Sequence, residues 1–181
     1  GLGANVFILD INMDNLRYLD DIMPENVHTI HSNRHILKDL LPKIDLLIGA
    51  VLVVGAKAPK LIDRELLSEM KPGSVVVDVS VDQGGCIETT RPTTHKNPTF
   101  VEENITHYCV ANMPGAVPYT STIALTNATF NYVKLLANKG VGVFKSNNPL
   151  LRGLNTYDGK ITHKAVAESF DLQYTNPLEL I

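Results

Sequence analysis

The chain has 181 residues, 44% hydrophobic and 19% charged, with a net charge of −3 and a pI near 6.1. That composition excludes a disordered polypeptide and leaves enough residues to bury a core. Nothing in its charge draws it to nucleic acid or to an anionic membrane, and no apolar run reaches the roughly 18 residues that a membrane-spanning helix needs. Cys86 and Cys109 stand without C-x-x-C spacing and read as buried free thiols of a cytoplasmic protein, ahead of a disulfide or metal pair. The six histidines show no ligand spacing, so no metal site is expected.

Ala4 to Leu9 reads as an apolar strand closed by Asp10. Leu16, Leu19 and Ile22 share one face of a helix from Met13 to Ile22, with Asp14 as its N-cap. Val27 to His31 is a short strand, and Arg34 to Leu41 a helix stopped by Pro42. The segment IDLLIGAVLV, from Ile44, is a buried strand running into a Gly-Ala-Lys-Ala-Pro loop. DRELLSEMK, from Asp63, is a further helix, and Pro72-Gly73 turns the chain into SVVVDVSVDQGGC, residues 74–86. There Val75, Val76, Val77 and Val79 read as a strand buried on both faces. His107 to Ala111 is one more strand, ending at Asn112-Met113-Pro114.

Strand and helix alternate through short links, which predicts the α/β class: a doubly wound parallel sheet with helices on both faces, over residues 1–118. From about Ser121 to Asn138 a long, mostly apolar helix breaks that rhythm, with Gly140 as its stop. A helical turn, a Tyr-Asp-Gly hairpin-like turn and a last short helix complete residues 119–181, a linking helix and small α+β segment expected to pack elsewhere.

Polar or small residues stand at successive strand ends, where open α/β sheets bind ligands. Asp10 has two readings of equal weight. It is either an acid that hydrogen-bonds the adenosine ribose of a dinucleotide or a cap for the helix it opens. Gly49 either lets a ligand approach the backbone or serves tight packing. Asp82 is either a solvated loop residue or a carboxylate held at the sheet edge. Arg91 is either a bidentate anion ligand or a surface ion-pair partner.

The segments IGAVLVVGAKAPKL, MKPGSVVVDVSVDQGGCIETTRPTTHKNPTF, HYCVANMPGAVPYTSTIALTNATFNYV and LANKG, spread over about residues 5–160, closely resemble bacterial alanine dehydrogenase. The resemblance implies a Rossmann-type NAD domain and the reversible oxidative deamination of L-alanine to pyruvate and ammonium, with hydride transfer to NAD. Carried over by position, Asp82 is the catalytic aspartate and Asp10 the ribose acid. Ser32, Val51 and Leu52 meet adenine and ribose, and Val79, Ser80, Val81 and Asp82 flank the nicotinamide ribose. Arg91, Val110, Ala111, Asn112 and Met113 also touch cofactor, while Gly84 and Gly85 keep backbone clear of it. The family's first strand, G-x-G-x-x-G loop, catalytic histidine and substrate-binding arginine and lysine match nothing here. The chain is thus expected to be the carboxyl-terminal half of the enzyme, needing an amino-terminal half and assembling as a homo-hexamer. The alternatives are a non-catalytic nucleotide-binding remnant and the NAD-binding subunit of a transhydrogenase, against which the Asp-Gln-Gly-Gly loop argues.

Overall fold

The computed structural model describes all 181 residues. β1 (Val6–Asp10) pairs in parallel with β2 (Val27–His31), joined by helix α1 (Met13–Ile22). Helix α2 (Arg34–Leu40) leads to a second sheet of β3 (Leu46–Gly49), β4 (Val75–Asp78), β5 (Thr99–Glu102) and β6 (Ile105–Tyr108), in the order β3-β4-β6-β5. β3, β4 and β6 run parallel, and β5 is antiparallel to β6. Helix α3 (Arg64–Leu67) lies between β3 and β4 in sequence. The 22-residue helix α4 (Pro118–Lys139) follows, then α5 (Asn148–Gly153), the hairpin β7 (Thr156–Tyr157) and β8 (Lys160–Ile161), and α6 (Lys164–Phe170).

The expected α/β rhythm is therefore present, with local differences that have physical causes. The N-cap of α1 is Asn12, not Asp14: the Asn12 side chain accepts from the amides of Asp14 and Asn15. Pro42 does not stop the second helix outright. It fits the early turn of a 3₁₀ segment, Leu41–Lys43, where its missing N–H costs no bond. DRELLSEMK keeps one regular turn, capped by Asp63, although Met70 beyond it is still buried. The valine strand ends at Asp78. Val79, expected inside it, is 52% exposed and opens a 3₁₀ turn, Val79–Gln83, because the Asp78 carboxylate captures the Ser80 amide. β5 was not expected. It pairs through a tight turn at Glu103 (φ 53°) and Asn104 (φ 60°), the left-handed pair that two-residue hairpins demand.

Register explains where the core sits. Leu47, Val76 and His107 are neighbours across three parallel strands, as are Gly49 and Asp78, and this face is covered. Leu41, Ile62, Leu66, Leu67, Ile87 and Ile105 pack against it, each fully buried apolar side chain contributing about 1.5–3 kcal/mol. His107 belongs to this core. Its ring contacts the Ile105 carbonyl at 2.9 Å and the Thr89 hydroxyl at 2.8 Å, and stacks on Phe100.

The opposite face carries Leu46, Ile48, Val75 and Val77, with Leu46 and Ile48 more than half exposed. β1 and β3 each have one unpaired edge, and α4 buries none of its residues. Such contiguous apolar exposure marks a surface that another element covers. The 181-residue chain on its own should accordingly bind a hydrophobic dye and self-associate. The variant Leu46→Lys/Ile48→Lys, which leaves the buried face untouched, should lower dye emission and light scattering several-fold. Unchanged scattering would place the sticky surface elsewhere, on α4.

Candidate functional site

Because β3, β4 and β6 are parallel, Gly49, Asp78 and Tyr108 end on one edge, and the loops after them (50–61, 79–86 and 109–113) crowd together there. Gly49 settles as a packing residue. A Cβ at this position would collide with Cys86 Sγ and touch Ile87 Cδ1 at 3.4 Å, both core atoms.

The loop after β4 is built on Asp78, a fully buried carboxylate that sequence reasoning passed over in favour of Asp82. Oδ1 accepts from the Ser80 amide at 3.0 Å, and Oδ2 accepts from the Cys86 amide at 3.1 Å and the Thr90 hydroxyl at 2.6 Å. Its only sequence signal was its place at the end of the valine run. The 3₁₀ turn then closes through Gly84 at φ +90°. Gly85, at φ +73°, makes a close approach to Asp78 and Thr90 themselves: an added Cβ would lie 2.6 Å from Asp78 Oδ2 and 2.5 Å from Thr90 Oγ1.

Asp82 projects from this turn to the surface. Its hydrogen bond is a long one, 3.5 Å from the Asn112 amide to Oδ2. Asn112 holds a left-handed conformation (φ 56°, ψ 52°) that turns the chain after β6 toward Asp82. Asp82 also lines a hollow of about 440 Å³ with Gly55, Ala56, Lys57, Gln83, Gly84, Ser169 and Phe170. The last two come from α6, so the tail reaches the edge: Ser169 Oγ donates to the Gly55 carbonyl at 3.3 Å. Gly55 is hemmed in by His163, whose ring would meet an added Cβ at 2.6 Å. Gln83 Oε1 and His163 Nδ1 are both buried without a partner. The sequence gives Gln83 a place in the Asp-Gln-Gly-Gly motif but no role of its own, and it gives Lys57 and His163 no role at the site.

Other expected site residues take different positions. Ser80, Val81 and Val110 are buried as whole residues. Ser80 Oγ donates to the Val51 carbonyl at 2.8 Å, which ties the loop after β3 to the loop after β4. Leu52 and Val79 point outward, Val51, Ala111 and Met113 are half-buried, and the Ala111 amide pairs with Thr93. Asp10 and Ser32 lie at the carboxyl ends of the other sheet, where the Ser32 amide donates to the Asp10 carbonyl. The Asp10 side chain, two residues before the cap, accepts from the Asn12 amide at 2.9 Å and from Asn15 Nδ2 at 3.4 Å. The Asn12 amide, above all, holds its carboxyl below the usual carboxylate range, so it carries its charge at neutral pH. Arg91 stands apart from Asp82. Its guanidinium stacks on Phe100 at 3.7 Å and pairs with Glu102 at 3.4 Å, beside a polar depression lined by Thr93, Thr94 and Asn97. Cys86 and Cys109 are free and buried, and burial pushes both thiols up.

Against known proteins, residues 1–164 match the family described as alanine dehydrogenase/PNT, C-terminal domain. The chain is 55% identical over 178 residues to an alanine dehydrogenase of Staphylococcus haemolyticus (strain JCSC1435), covering 97% of this chain and 48% of that protein. It is 52% identical over 183 residues to an alanine dehydrogenase 2 of Staphylococcus aureus (strain USA300), of which it covers 49%. The chain thus spans about half the length of these curated relatives. Among solved structures an L-alanine dehydrogenase superposes with a TM-score of 0.81 at 46% identity, over 94% of this chain and 47% of that one. A transhydrogenase from Sinorhizobium meliloti superposes with a TM-score of 0.66 at 22% identity over 78% of this chain, a likeness of fold alone. On this footing the chain belongs to the alanine dehydrogenase/PNT family and carries its C-terminal domain.

Proposed function

We propose that this chain is the NAD-binding part of an alanine dehydrogenase, which converts L-alanine, NAD and water to pyruvate, ammonium, NADH and a proton. The observation that carries this reading is Asp82. A strand buried in a parallel sheet delivers an exposed carboxylate to the carboxyl edge, beside the Asn112 turn, in a chain 55% identical to an alanine dehydrogenase.

The residues present suit a dinucleotide. Asp10 has lone pairs to spare for a ribose hydroxyl, with Ser32 beside it, and half-buried Val51 and exposed Leu52 offer an apolar surface to an adenine. Backbone of Val79, Ser80 and Val81 and of Val110, Ala111 and Asn112, with the side chains of Met113 and Arg91, completes the list of contacts. When bound, NAD supplies the hydride acceptor. The chain's own part in the chemistry falls to Asp82. It accepts the proton released as water adds to the imine carbon, and returns one to the departing nitrogen. Reactants seated beside Asp82 would displace water from the carboxylate and strengthen its pull on those protons.

The other half of the relatives' length would bring a strand between β1 and β3, whose facing edges are free, and the groups that bind the substrate carboxylate. Residues 119–181 would pack with that half, α4 acting as the link. The resemblance extends this to a hexamer, and the two free, buried thiols suit a cytoplasmic setting.

Both predictions apply to the complete enzyme. Asp82→Asn keeps shape and removes charge, so kcat should fall roughly 10²- to 10⁴-fold while the Kd for NADH, read by fluorescence, stays within about twofold. Near-normal turnover would return Asp82 to a solvated loop. Asp10→Ser removes the charge that repels a 2′-phosphate and should shrink the NAD:NADP ratio of kcat/KM roughly tenfold, the effect of losing a like-charge contact of about 1.4 kcal/mol. An unmoved ratio would leave Asp10 with its helix-start role alone.

A further inference from the structure

The proposed reaction uses Asp82 and leaves Asp78 without a task, although a buried carboxylate is among the costliest groups a core can hold. Asp78 has no accessible surface and its hydrogen bonds come from neutral donors, the amides of Ser80 and Cys86 and the hydroxyl of Thr90. Cys86 Sγ adds a weak fourth contact, 3.8 Å from Oδ1.

The placement of these donors is informative. Ser80 lies two residues before Asp82, and Cys86 just after the Gly84-Gly85 pair. Thr90 opens the segment that runs to Thr93, which bridges to Val110 at the carboxyl end of β6. Two residues beyond that bridge, the Asn112 amide reaches Asp82 at 3.5 Å. One carboxylate, fixed at the end of a buried strand, therefore holds both ends of the loop that carries Asp82 and the start of the segment that supports its neighbour. Gly85 is glycine because a side chain there would strike this carboxylate.

We propose that Asp78 is a positioning residue for the reaction: it clamps residues 79–90 through Ser80, Cys86 and Thr90 so that Asp82 meets the substrate at a fixed place. The proposal rests on the reading of Asp82 as the acid–base group. Misplacing such a group by a fraction of an ångström is enough to lose a large part of its rate effect.

The test removes one strand of the clamp without emptying the core. Thr90→Val deletes the hydroxyl at nearly constant shape, and Thr90→Ser keeps it. In the complete enzyme Thr90→Val should lower kcat at least tenfold with the Kd for NADH within about twofold, and Thr90→Ser should recover most of that loss. The decisive readout is the double variant Thr90→Val/Asp82→Asn. If Thr90 acts through Asp82, adding Thr90→Val to Asp82→Asn should change kcat by less than about twofold. A full, additive loss in the double variant, or an undiminished kcat in Thr90→Val, would overturn the proposal while leaving the alanine dehydrogenase reading intact. Hydrogen exchange at the Ser80 and Cys86 amides needs no turnover. It should quicken in Thr90→Val relative to β6, and unaltered exchange would overturn the clamp even if the native enzyme proved inactive on L-alanine.

Discussion

Everything at the candidate site depends on β4 being held between β3 and β6 in a parallel ladder. A parallel strand with neighbours on both sides has one amino edge and one carboxyl edge, and its backbone groups are satisfied before the chain leaves the sheet. Val76 and Asp78 face the core and Val75 and Val77 the other side, so the register of this one strand decides which aspartate is buried. A slip by one residue would turn Asp78 outward and Val77 inward. The 3₁₀ turn, the diglycine and the exposure of Asp82 all follow from the register observed.

The same geometry accounts for what the sequence disclosed and what it hid. Short segments rich in β-branched and apolar residues, separated by helical segments, were enough to place β1, β2, β3 and β4 and to assign the α/β class. The long, mostly apolar stretch from about Ser121 to Asn138, stopped by Gly140, was enough for the long helix, which the structure extends to Pro118–Lys139. Asp78 stayed hidden because an acid at the end of an apolar run reads as the start of a loop. Only coordinates reveal that two amides and a hydroxyl converge on it from residues up to 12 positions away. β5 stayed hidden because Glu103-Asn104 is an uncommon version of a turn usually built with glycine. The Asp82 hollow was half legible: Asp82, Gln83 and Gly84 stand in one motif, whereas Ser169 and Phe170 join from the far end of the chain through tertiary contact.

The two faces of the four-stranded sheet tell a further story about energetics. One is packed with Leu66, Leu67, Ile87 and Ile105, and the other leaves Leu46 and Ile48 exposed beside half-buried valines. A stable fold seldom leaves that much apolar strand in water, since each such side chain forgoes on the order of 1–2 kcal/mol of burial. Together with the free edges of β1 and β3 and the exposed surface of α4, this describes a domain with apolar surface that further structure could cover. Matching about half of each relative's length accords with that picture.

The central claim is that this chain supplies Asp82 and the cofactor surface, and the other half of the relatives' length supplies the rest of an alanine dehydrogenase. The direct measurement is NADH formation from L-alanine and NAD, followed by absorbance, for the purified 181-residue chain alone and for the same chain joined to or mixed with an amino-terminal half. The account predicts no turnover by the chain alone and turnover when both halves are present. Turnover by the isolated chain, or none from a well-folded combination of the two halves, would contradict it.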